Sequence, residues 1–99
     1  MIYVIATLAV KPGCQAELIE AATPCIAATR AEPGCLAYDL HTSATDPLTL
    51  VFVERWESAE LLGPHSKSDH MRAFGRIAVN CFSAPPKIEI ITPQGVETR

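Results

Sequence analysis

No stretch of this chain approaches the ~18 consecutive apolar residues that a membrane-spanning helix needs, so no membrane partner is expected. Lysine and arginine never cluster and the net charge is −3, which leaves nucleic acid no basic surface to follow. The first residues, MIYVIATLAVKPG, lack the basic lead and small-residue cleavage site of a signal peptide, and they read instead as a strand. The four cysteines, Cys14, Cys25, Cys35 and Cys81, include no C-x-x-C pair. With no export signal they are expected to be free thiols packed as small hydrophobes in a reducing, cytoplasmic compartment.

Charge as a whole is scarce. Only 19% of the 99 residues are charged, against roughly 25% in average globular chains, while 48% are hydrophobic. A single domain over residues 1–99 buries only about two-thirds of its unfolded surface. The apolar excess therefore points to a second copy, a homodimer.

What is present falls into regular elements. Residues 2–10, IYVIATLAV, are apolar almost throughout, as in a strand covered on both faces. KPGC turns the chain, and from Gln15 the positions Ala16, Ile19, Ala22, Ile26 and Ala27 take a helical period as far as Ala31. Pro24 removes a backbone donor inside that helix and is expected to kink or interrupt it near Ile19–Ala21. EPG at 32–34 ends it. Strands follow at Cys35–Thr42 and Leu48–Trp56, joined by the hairpin chemistry of SATDP. In the second of these Leu50, Phe52, Glu54 and Trp56 share one face.

A second helical region starts at the N-cap Ser58, breaks at Gly63-Pro64 and restarts at the capping-box pattern SKSD, Ser66 to Asp69. The restarted helix places His70, Phe74 and Ile77 on an inward stripe, with Met71 and Ala78 beside them. Residues 80–91 make a last strand broken by Pro85-Pro86. The order βαββαβ predicts an α+β, ferredoxin-like fold: a four-stranded antiparallel sheet with both helices on one face. The other face, also apolar, would be covered by a second copy to give a dimeric α+β barrel.

EPGCLAYDL (32–40), DP (46–47), VFVERWES (51–58) and HSKSDHMRAF (65–74) resemble, in order and spacing, the antibiotic biosynthesis monooxygenase (ABM) domain. The likeness is strongest to its small bacterial quinol-monooxygenase-like members and covers roughly the whole chain. It implies the same dimeric barrel, and oxygenation of a phenolic or hydroquinone substrate by O₂ without a metal, flavin or other cofactor. Triplet O₂ reacts slowly with closed-shell molecules, but a phenolate can pass it one electron. The protein then needs a pocket for a flat ring, a base and shelter from water.

Trp56 is the candidate for stacking on the ring, or else it caps the core. His65 and His70 are the candidate bases, since imidazole titrates near 6.5; either can equally be a hydrogen-bonded structural histidine. Glu54 could orient a histidine or hold a substrate hydroxyl, or it could pair with Arg72 or Arg76. Tyr38 lies across the hairpin from Glu54 as a phenol donor or as core, and Phe52 and Phe74 supply apolar walls to the substrate pocket. His65 and His70, five apart, do not share a helical face, so no metal site is expected.

Two other functions compete. One is a non-catalytic dimeric barrel that binds a small hydrophobic ligand. The other is haem degradation, whose practitioners in this family carry a Trp at the level of His65, an axial His at Gly75 and an Asn near Thr7; the chain matches none of these.

Overall fold

The computed structural model describes residues 1–99. Along the chain come β1 (Ile2–Ala9), α1 (Gln15–Arg30), β2 (Cys35–Thr42), β3 (Thr49–Trp56), a 3-10 turn (Ala59–Leu61), α2 (Leu62–Ser66), α3 (Asp69–Ala78) and β4 (Lys87–Ile91). The strands form one antiparallel four-stranded sheet in the order β2-β3-β1-β4, the ferredoxin-like arrangement. No helix is long and apolar enough to cross a membrane.

Period-2 alternation decides which side of the sheet meets the helices. Ile2, Val4, Ala6 and Leu8 of β1 and Leu50, Phe52, Glu54 and Trp56 of β3 are buried. The apolar ones pack with Leu18, Ala22 and Cys25 of α1 and with Phe74 and Ala78 of α3. On the opposite face Tyr3, Ile5, Thr7, Val51 and Val53 are only half-buried. A bulge between Cys35 and Ala37 in β2 shifts the register by one, so that Tyr38 pairs with Glu54 and Leu40 with Phe52. Without that extra residue the Tyr38 ring would turn to the other face.

Several local expectations need correction. Pro24 does not interrupt α1, which runs unbroken from Gln15 to Arg30. The proline and Glu20, whose carbonyl loses its partner, are both exposed, so water can take the vacant acceptor. The buried face of α1 is Leu18, Ala22, Cys25 and Thr29, while Ile19 is exposed. In α3 the inward residues are Phe74 and Ala78, and Ile77 turns outward. Gly63-Pro64 lies inside α2, and the break falls at Lys67. The cap of α3 is Ser68, not Ser66. The last strand begins only after the prolines, at Lys87, with Phe82 reaching Val10 through an isolated bridge. Two consecutive residues without N–H cannot hold a ladder.

Candidate active site

Two short hydrogen bonds converge on one carboxylate oxygen. Glu32 lies in the turn between α1 and β2, where its N–H donates to the Thr29 carbonyl at 2.9 Å. Gly34 completes the turn with φ +83°, and a Cβ there would collide with Leu61 Cδ1. In α2 the carbonyl of His65 accepts from Ser68 Oγ at 2.7 Å. The same Ser68 oxygen caps α3 by accepting from the Met71 N–H at 3.3 Å. That one serine ties the two helices together and brings both imidazoles to Glu32 Oε2. His65 Nδ1 stands 2.7 Å from this oxygen and His70 Nε2 3.0 Å.

Burial pushes the Glu32 carboxyl up, but the hydrogen bonds and charge of the two histidines outweigh it and hold the group below its usual range. An ionised carboxylate only accepts, so both facing nitrogens carry protons. In neutral His65 the lone pair therefore stands on Nε2. That atom has no partner in the chain, and no deeply buried side-chain polar atom is left unpaired, so Nε2 opens onto free space.

His65 lines a cavity of about 510 Å³ between the helix-side face of the sheet and α2–α3. Its size falls within the range of small-molecule sites, roughly 300–1,000 Å³. Most of the wall is apolar: Val4, Ala6 and Leu8 from β1, Phe52 from β3, Phe74 and Ala78 from α3, Ile88 and Ile90 from β4. Ile88 and Ile90 are 64% and 58% exposed, so the β4 side is the open one.

Glu54 is the one carboxyl in this wall, 5% exposed, with Oε1 accepting from Trp56 Nε1 at 2.9 Å. It makes no ion pair with Arg72 or Arg76; the indole is its partner. Burial pushes this carboxyl above the usual range, and the indole hydrogen bond only partly offsets the shift. Tyr38 also lines the cavity; burial first, and the Glu54 charge second, raise its phenol far above the ordinary value. It stays a neutral donor, in weak contact with Met71 Sδ at 3.8 Å.

Of the residues singled out in the sequence, Tyr38, Phe52, Glu54, His65 and Phe74 meet at the cavity. Trp56 and His70 do not line it. Trp56 is fully buried behind the wall, its ring 4.9 Å from that of His65. Trp56 thus stands behind the wall, hydrogen-bonded to Glu54 and against the His65 ring. His70 faces Glu32 and a groove between α1 and α3. The sequence reading missed Glu32, although it is the first letter of the E-P-G-C motif, and it missed Met71 and the two β4 isoleucines as cavity walls. The helical-spacing argument also failed to foresee that His65 and His70 meet, because they lie on separate helices folded onto one carboxylate.

The sequence profile described as antibiotic biosynthesis monooxygenase matches residues 1–76. Two relatives carry the name “Putative monooxygenase”. Rv0793 of Mycobacterium tuberculosis is 32% identical over 91% of this chain and 88% of its own length. YcnE of Bacillus subtilis is 29% identical over 86% of this chain and 90% of its own. The solved structure of Rv0793 superposes with a TM-score of 0.89, covering 98% of each chain. The Synechocystis protein sll1783 is 27% identical over 90% of this chain, which spans 60% of its length. Fold, profile and relatives agree, and the chain belongs to the antibiotic biosynthesis monooxygenase family.

Proposed function

We propose that this protein is a cofactor-independent monooxygenase that oxidises a phenolic or hydroquinone substrate with O₂. The observation that carries the reading is that His65, held by Glu32 on Nδ1, lines an apolar cavity. A carboxylate on Nδ1 fixes the tautomer and stabilises the imidazolium that forms when Nε2 takes a proton.

The ring enters from the β4 side and rests against Phe52 and Phe74, which line the cavity edge to face with each other. His65 Nε2 accepts the phenolic proton. The phenolate passes one electron to O₂, and phenoxyl and superoxide combine at a ring carbon to form a C–O bond. The peroxide takes the proton back from His65. Loss of the hydrogen on that carbon with cleavage of the O–O bond then leaves a quinone and one water, with one oxygen atom in each. Tyr38, a neutral phenol, donates to a substrate oxygen, and Glu54 beside it holds a substrate hydroxyl. Apolar walls exclude water from the radical pair.

Residues 1–99 act as one domain in this reading, and two copies pair in the cytoplasm through the helix-free sheet face. The half-buried Tyr3, Ile5, Val51 and Val53 support that pairing. Oxygen uptake with a panel of hydroquinones tests the chemistry. Saturable uptake that falls about 100-fold or more in His65→Ala is expected. Equal uptake in both proteins leaves only a binding module for small hydrophobic ligands.

A further inference from the structure

The oxygen that orients the base is also the corner of a metal-ligand set. Glu32 Oε2, His65 Nδ1 and His70 Nε2 all lie within 4.8 Å of one another. Zinc holds nitrogen and oxygen ligands at about 2.0–2.2 Å, which places neighbouring ligands roughly 3.3 Å apart in a tetrahedron. The two contacts to Oε2, 2.7 and 3.0 Å, fall just inside that spacing. Side-chain rotations that widen the two contacts to Oε2 to that spacing open the notch for an ion. Two imidazoles and one carboxylate suit a borderline divalent ion such as zinc, and not calcium or magnesium, which want oxygen alone.

Surroundings and access agree with a cation. A groove of about 450 Å³ between α1 and α3 leads past His70, with Glu17 and Glu20 among its lining residues. Of the three ligands, His70 is the most open, its side chain 23% exposed against 19% for Glu32 and 7% for His65. Neither Glu32 nor His70 lines the cavity where a substrate would bind. An ion in the notch therefore stands behind the His65 ring, on its Nδ1 side, and does not face O₂.

We propose that Glu32, His65 and His70 form a binding site for one borderline divalent transition-metal ion, with Zn²⁺ as its type. Binding has a definite effect on His65, an effect that rests on the proposed oxygenase reading. Metal on Nδ1 forces the ring proton onto Nε2, which turns the base into a donor. The ion is an inhibitor of the chemistry and not its cofactor.

Calorimetric titration of Zn²⁺ tests the site. Cys14, Glu17 and Cys81 form a second cluster of possible ligands, so the titration uses a Cys14→Ser background to weaken it. One Zn²⁺ per chain is expected, with Kd weakened at least about tenfold by Glu32→Gln and by His70→Ala, each removing a ligand. The exposed His41→Ala serves as the control and leaves Kd unchanged. Absence of binding, or a Kd that neither Glu32→Gln nor His70→Ala alters, overturns the site. Oxygen uptake gives the second readout: Zn²⁺ suppresses it in the Cys14→Ser protein, and His70→Ala on that background requires at least about tenfold more Zn²⁺ for the same suppression. Metal binding that leaves uptake intact overturns the switch. Stoichiometric binding by a protein with no uptake at all sinks the oxygenase reading while the metal site stands.

Discussion

Glu32 and Glu54 are both carboxyls close to His65, yet their surroundings push them in opposite directions. Glu32, in a turn, receives two imidazole N–H groups on one oxygen and stays ionised. Glu54, in mid-strand and buried, receives one indole N–H and pairs across the strands with Tyr38. One carboxyl is therefore fitted to steady a cation, while the other holds its proton more firmly than a carboxyl in water does. Under the proposed function, separating two like groups in this way would divide acid and base roles between them. Donor count and solvent access do the separating, since the residue type is the same.

Replacing the ring that Glu32 holds has the largest expected effect. His65→Ala lowers kcat for oxygen uptake by about 10²–10⁴-fold, as loss of a general base does, with KM changed much less. A drop confined to KM breaks the assignment of the lone pair. Removing the support of Glu54 comes next: Trp56→Ala empties a fully buried site and costs about 3–5 kcal/mol in a urea titration. The milder Trp56→Phe strips only the N–H and the benzo ring edge, leaves Glu54 without its donor, and costs about 1–3 kcal/mol.

On the Glu32 side, Gly34→Ala forces a side chain into a positive-φ turn and against Leu61, for a loss of at least about 1 kcal/mol. Because that turn places Glu32, uptake should fall along with stability.

The smallest effects are in pH dependence, and they have opposite signs. The folded protein holds Glu32 ionised more firmly than the unfolded chain does, so its contribution is complete above the ordinary value of 4.5 and is lost as pH falls below it. Glu54 binds its proton more firmly when folded, so its contribution is complete below 4.5 and is lost as pH rises through the raised folded value. Tm measured from pH 3 to 8 should show Glu32→Gln flattening the acid side of the profile and Glu54→Gln flattening the rise-through side. Parallel changes in the two variants would erase the distinction between the carboxyls.

How much of this could be seen beforehand differed by element. The buried face of β3 was legible because strand alternation is strict and Leu50, Phe52 and Trp56 stand out from their neighbours. The Tyr38–Glu54 pairing followed from the hairpin, though the bulge that aims the ring had no signature. Helix phase was harder: α1 is rich in alanine and threonine, so its inward Leu18–Ala22–Cys25–Thr29 line barely contrasts with the outward one. In α3 the small Ala78 faces in while the larger Ile77 faces out, against the hydrophobic pattern. Glu32 read as helix-stop chemistry, and nothing in its immediate neighbours announced two histidines more than thirty residues away.

The sequence by itself determined the order of strands and helices, the sheet face that is buried and the family, because these rest on local periodicity and on motifs read in line. Tertiary structure alone decided that Glu32 collects His65 and His70, that Trp56 lies behind the wall and that a cavity stays open beside His65. Those outcomes depend on distances between elements remote in the chain, set by one bulge, one serine cap and the packing of α2 and α3, and no single segment encodes them.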